Sequence, residues 1–241
     1  MNFTNKTALV TGANRGIGLA LVAALIKAGA RKVYAGTRNA DQLAAAVALD
    51  PARVFPLRLD IADRSQVDAA ATAAGDVEIL INNAGVLDFG DALTVPVAAI
   101  ERNFAVNVFG TLAMARAFAP IIEKNGGGAI TNLLSVVSLA SIPGLAGYNA
   151  SKAALWSLTQ SLRGTLAPRG ISVHGVFPGP VDTDMASEIT MPKTSPAEVA
   201  QAVLEGMASG AEDIFPDPMA REVYAGWSKD HKAVERQFAA L

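Results

Sequence analysis

Short β-branched or aliphatic runs alternate with longer Ala-rich segments along almost the whole chain, and no other property of the sequence narrows its fold as much. Strands are predicted near Thr7–Val10, Lys32–Ala35, Val54–Arg58, Ile79–Ile81, Ala129–Leu134 and Ser172–Phe177, with a short last one near Ile214–Phe215. Apolar runs of this length, bounded by Gly, Asn and Pro, read as strands buried on both faces. The intervals carry helical patterning near Gly16–Ala28, Asp41–Ala48, Arg64–Ala74, Val97–Lys124, Tyr148–Pro168, Pro196–Ser209 and Pro218–Phe238. Asn39 with Gln42, and Asp63 with Gln66, have the spacing of an N-cap and its partner. This order implies βαβ units and therefore an α/β fold, a doubly wound parallel sheet flanked by helices. An α/β chain of 241 residues fits in one domain, and no Pro/Ser-rich linker or internal repeat marks a second.

Composition removes several function classes. Hydrophobic residues make up 51% of the chain and charged residues 17%, enough for a substantial core and too apolar for a disordered chain. Twenty basic residues against 22 acidic ones, without a block of like charge, leave no footprint for nucleic acid or an anionic membrane. The lack of cysteine removes disulfides, thiolate nucleophiles and Cys-based metal sites. The two histidines do not build a metal site or a Ser-His-Asp triad: His174 lies inside the sixth strand and His231 in a polar helix. The acidic residues are scattered, so no metal is expected. Residues 125–151 carry no charge, but Gly126–Gly128, Asn132 and Pro143 interrupt them, against a membrane span. Met1–Lys6 lacks the pattern of a signal peptide, and a cytoplasmic location is the expectation.

The first strand runs into Thr11-Gly12-Ala13-Asn14-Arg15-Gly16-Ile17-Gly18 and then an apolar helix. Glycines permit a tight turn and close backbone approach, and the helix N-terminus beyond them offers free N–H groups and a positive dipole end to a pyrophosphate. A glycine-rich turn can also serve only to pack strand on helix, so the loop alone leaves both readings open.

The spacing Gly-x3-Gly-x-Gly resembles that of the short-chain dehydrogenase/reductase family, and further motifs follow in that family's order. Thr11–Gly18 is similar to its TGxxxGxG, Asn82-Asn83-Ala84-Gly85 to its NNAG, and Tyr148-Asn149-Ala150-Ser151-Lys152 to its YxxxK. Ser135 lies thirteen residues before Tyr148, Asn107 sits in the long fourth helix, and Pro178-Gly179 ends the sixth strand. The resemblance implies a Rossmann-type fold, a nicotinamide cofactor and carbonyl or alcohol chemistry.

Carbonyl reduction needs a proton donor beside the oxygen and a hydride donor across the carbon. The resemblance implies that Tyr148 is that donor, with Lys152 lowering its pKa and holding the nicotinamide ribose. It implies that Ser135 polarises the substrate oxygen and that Asn107 holds a water linking Lys152 to solvent. The family's Ser-Ser pair is Leu134-Ser135 here, and Ser138 is an alternative with less suitable spacing. Cofactor contacts are implied for Gly12, Asn14, Arg15, Gly16, Ile17, Gly18, Asp60, Ile61, Asn83, Ala84, Gly85, Pro178, Gly179, Val181 and Thr183, besides Tyr148 and Lys152. NAD-preferring relatives carry an acid at the end of the second strand, where this chain has Gly36-Thr37-Arg38-Asn39. Arg38 and Arg15 offer forked donors suited to a 2′-phosphate, so NADP is the implied cofactor and NAD the less suited one.

The resemblance implies that substrate choice rests on Val86–Phe89, Val136–Leu145 and Met185–Ser195, where Val137, Ile142, Leu145 and Met185 would line a pocket for a small or medium hydrophobic ketone, aldehyde or secondary alcohol. Two other readings stand beside an NADPH-dependent carbonyl reductase. One is a 3-oxoacyl-carrier-protein reductase, which would favour more cations than Lys193 near the site. The other is an NADP-binding redox sensor without turnover, which would not need Asn107, Ser135, Tyr148 and Lys152 together. A homodimer or homotetramer is expected through the fourth and fifth helices, whose outer faces are predicted to hold Phe109, Leu112, Trp156 and Leu162.

Overall fold

A computed structural model describes residues 1–241. Seven strands form one parallel sheet: β1 (Thr7–Thr11), β2 (Lys32–Thr37), β3 (Val54–Arg58), β4 (Ile79–Asn82), β5 (Gly128–Leu133), β6 (Ile171–Val176) and β7 (Asp213–Ile214). Their spatial order is β3-β2-β1-β4-β5-β6-β7, so the chain reverses direction between β1 and β4. Ligands of such sheets bind at that switch point, outside the carboxyl ends of the strands.

The period of two along each strand sends alternate residues to opposite cores. Ala8, Val10, Ile79 and Ile81 face one layer, covered by α1 (Gly16–Lys27), α2 (Ala44–Leu49) and α7 (Pro196–Ser209). Leu9, Leu80 and Ile130 face the other, covered by α3 (Arg64–Ala73), α5 (Thr111–Lys124) and α6 (Ala146–Leu166). The charge-free stretch 125–151 is accounted for by β5, the turn after it and the start of α6. One helical stretch, Val97–Lys124, is long and apolar enough to cross a membrane by length and composition, and half of its apolar window is buried in the fold.

Three elements differ from the sequence expectation. The helix expected over Val97–Lys124 consists of α4 (Val97–Asn103), a π-helical stretch at Phe104–Gly110, and α5. The widened turns fit two close approaches: Asn107 is fully buried and bonded outside the helix, and a Cβ on Gly110 would lie 2.8 Å from Ile61. The helix expected over Pro218–Phe238 is two, α8 (Pro218–Lys229) and α9 (His231–Phe238), because Asp230 adopts an extended backbone and its side chain caps Ala233. Asn39 caps a 3-10 turn at Asp41, while Gln42 accepts from Asn14 instead of returning to Asn39. Asp63 and Gln66 form the expected cap of α3.

Candidate active site

At the carboxyl ends of the strands lies a cleft of about 1390 Å³, above the roughly 300–1,000 Å³ usual for one small ligand. It has room for two molecules side by side. Every predicted site residue lines it except Gly18 and Asn107, which stand directly behind its wall.

One end is built by the loop between β1 and α1. Gly12 and Gly16 have φ of +65° and +54°, left-handed values that disfavour side chains. A Cβ on Gly18 would come 2.1 Å from the Gly12 carbonyl oxygen, so α1 can approach the loop only as glycine. No side chain caps the first turn of α1, which leaves its N–H groups for an anion. Asn83 secures the loop from β4 by donating to the carbonyls of Thr11 (2.9 Å) and Gly12 (3.1 Å). Arg38 follows β2 on the cleft wall, and no carboxylate stands at the end of that strand. The exposed Arg15 guanidinium is ion-paired with Asp184, a partner that the sequence did not announce.

The other end gathers groups from β5, α6 and the π-helical stretch. Ser135 begins the turn after β5, where its Oγ accepts from the Val137 N–H at 3.3 Å and donates to the Pro178 carbonyl at 3.5 Å. Ser138 closes this turn as a capping partner, its Oγ accepting from the Ser135 N–H at 3.3 Å. Tyr148, in the first turns of α6, is half-buried among Val136, Val137 and the C-terminal helices. Loss of solvation pushes its phenol up to about 12, against a hydrogen bond with Ser135 that pulls it down. Lys152 Nζ lies 5.6 Å from the Tyr148 ring centroid and donates to the Leu133 carbonyl at 2.6 Å. Burial lowers the pKa of Lys152 itself to about 8. Lys152 is 5% exposed, and two of its three donors have no protein partner.

Asn107 fastens the segment after Gly85: its Oδ1 accepts from the Val86 N–H, and its Nδ2 donates to the Val86 carbonyl and to Ser151 Oγ, each at 2.9 Å. Val137, Ile142, Leu145 and Met185 line the remaining cleft, as their positions in the sequence predicted, and Met219 of α8 joins them. His174 is buried in β6 between Ser172 and the Ala211 carbonyl, and no cluster of His, Asp and Glu could hold a metal. Of the apolar residues predicted on outer helix faces, Phe109 is exposed, and Leu112 and Leu162 border a groove of about 330 Å³ between α5 and α6. Trp156 turns inward instead, edge-on to Phe177 and Trp227.

Fold and site together define a dinucleotide-dependent α/β enzyme. Residues 6–194 match the short chain dehydrogenase family model. The chain is 36% identical to galactitol 2-dehydrogenase of Agrobacterium fabrum over 187 residues, 76% of this chain and 73% of the relative. It is 40% identical to D-erythrulose reductase of Gallus gallus over 186 residues, 77% and 75% of the two chains. A short chain dehydrogenase from Burkholderia cenocepacia, solved in complex with NADP, superposes with a TM-score of 0.93 at 40% identity, over 99% of each chain. The protein belongs to the short-chain dehydrogenase/reductase family and is an oxidoreductase acting on CH–OH groups.

Proposed function

We propose that the protein is an NADPH-dependent carbonyl reductase, reversible as an alcohol dehydrogenase, acting on small to medium hydrophobic ketones, aldehydes or secondary alcohols. The observation that carries this reading is one cleft with Ser135, Tyr148 and Lys152 in an apolar compartment and Arg15 and Arg38 at the far end. The NADP complex of the Burkholderia relative supports the cofactor, and the reductase and dehydrogenase names of the other two support the reaction class.

The uncapped first turn of α1 fits a pyrophosphate, and the unpartnered donors of Lys152 fit ribose hydroxyls. The nicotinamide, when bound, supplies the hydride. Gly12, Asn14, Gly16 and Ile17 would hold the pyrophosphate, with Gly18 behind them. Asp60 and Ile61 would hold the adenine, Asn83, Ala84 and Gly85 the ribose side, and Pro178, Gly179, Val181 and Thr183 the carboxamide side. Arg38, and Arg15 once released from Asp184, would take the 2′-phosphate. Ser135 Oγ donates to the substrate oxygen, and Tyr148 Oη delivers its proton there. A phenol at about 12 is fully protonated at neutral pH, the state that proton donation requires. Lys152, still cationic at neutral pH, favours the phenolate left behind. The Asn107 side chain is committed to Val86 and Ser151, so a water linking Lys152 to solvent would rest on its main chain.

A cofactor-oxidation assay with ketones, aldehydes and 3-oxoacyl thioesters tests this reading. Apolar ketones are expected to consume NADPH fastest. Tyr148→Phe is expected to lower turnover about 10²–10⁴-fold while NADPH still binds. Retention of more than about a tenth of the activity would overturn the assignment of the acid, since it lies well outside that range.

A further inference from the structure

Asp217 lies beyond the segment that matches the family model, between Pro216 and Pro218, and is 1% exposed. Its Oδ1 accepts from the Ala220 N–H at 2.8 Å, which caps α8. A capping aspartate needs no more than that. Its Oδ2 reaches 38 residues back and accepts from the Gly179 N–H, also at 2.8 Å. The fit is close, since a Cβ on Gly179 would lie 2.9 Å from Asp217 Oδ1.

The Gly179 N–H and the Pro178 carbonyl belong to one planar peptide and point in opposite directions. Gripping the N–H from the α8 side therefore fixes where the carbonyl points. It points at the Ser135 turn, accepting from the Val136 N–H at 3.1 Å and from Ser135 Oγ at 3.5 Å. The C-terminal helices also pack on Val136 and Val137. We infer that Asp217 is a positioning residue for the Ser135 hydroxyl, acting through the Pro178–Gly179 peptide. This rests on the reading of Ser135 as the donor to the substrate oxygen. With the peptide pinned, the 3.1 Å bond from the Val136 N–H fixes the turn that places Ser135 Oγ. The single hydroxyl hydrogen, held only at 3.5 Å, turns from the Pro178 carbonyl to the substrate oxygen when substrate binds. Released, the peptide rotates and the turn loses its anchor.

Asp217→Ser separates this role from helix capping, because serine caps well but is too short to span both N–H groups. Complete loss of one oxyanion donor costs about 10²–10³ in kcat. At saturating NADPH, Asp217→Ser is expected to lower kcat at least about tenfold, inside that ceiling, with substrate KM within about twofold. In a Ser135→Ala background the same substitution is expected to change kcat less than about twofold, because it acts through a hydroxyl already removed. Equal effects in both backgrounds would overturn the inference and leave Asp217 a cap alone. A second arm does not depend on turnover. Crystal structures of the wild type and Asp217→Ser are expected to show the Pro178 carbonyl turned from Val136 in the variant, and an unmoved peptide would overturn the inference. If the wild type reduces no carbonyl, the reading of the reaction fails, while the crystal comparison still decides whether Asp217 sets the peptide.

Discussion

Lys152→Met should stabilise the cofactor-free protein at neutral pH. Burial lowers the lysine from its ordinary 10.5 to about 8. At 1.36 kcal/mol per pH unit, holding this ammonium in the fold costs about 3 kcal/mol when it is charged in both states. Methionine matches its length and leaves no charge to desolvate. The bond to the Leu133 carbonyl is lost, at about 1.5 kcal/mol for a charged donor. The net gain at pH 7 is about 1–2 kcal/mol, or about 2–8 °C in Tm for a chain of this size. Between pH 8 and 10.5 the unfolded chain keeps a proton that the native lysine has released. Native stability therefore rises with pH in this window, and the cost is fully present only below it. About 2 kcal/mol should be recovered between pH 7 and pH 9.5 in the wild type and not in the variant. Urea denaturation of both proteins at the two pH values measures the difference and cancels all other titrations. A gap between them that stays constant from pH 7 to 9.5 would refute the argument.

Arg38→Ala and Arg15→Ala should each weaken NADPH binding roughly ten- to a hundredfold, from about 1.5–3 kcal/mol per bond to a charged group, and leave NADH unchanged. Equal losses of kcat/KM for both cofactors would show that the arginines support the fold instead. Thr37→Asp adds an acceptor for ribose hydroxyls and repels the phosphate, moving preference towards NADH in the same assay. Asp184→Ala releases Arg15 from an exposed ion pair worth at most about 1 kcal/mol, so NADPH should bind up to about fivefold tighter, as fluorescence titration would show. Light scattering at micromolar concentration should give a dimer or larger through the α5 and α6 faces, and a monomer mass alone would reject that assembly.

What was legible in the sequence had few physical alternatives. Gly12, Gly16 and Gly18 meet backbone conditions that other residues do not, so their spacing announced the loop. Tyr148 and Lys152, four apart, fall on one helix face, and Ser135 and Pro178 end adjacent strands. Other features depend on distant partners. No local pattern signals that Lys152 turns to Leu133, that Arg15 meets Asp184, or that Gln42 binds Asn14. Asp217 did carry a local signal, since an aspartate before proline marks a helix start. Its second bond, to Gly179, was invisible without the fold.

The π-helical stretch at Phe104–Gly110 bears on what this chain can lose. Each π turn holds more residues than an α turn, so deleting one residue here would let the segment relax into ordinary helix. The seven residues at π spacing turn through roughly the arc of one fewer residue at α spacing, so α4 and α5 would keep their phase while the residues between them shift. The widened turn that presents Asn107 to Val86 would be lost, while α4 keeps its register on α6. A more regular helix and a loosened cleft wall would arrive together, so screens that reward thermal stability alone would favour shortened chains in which the segment after Gly85 is no longer held.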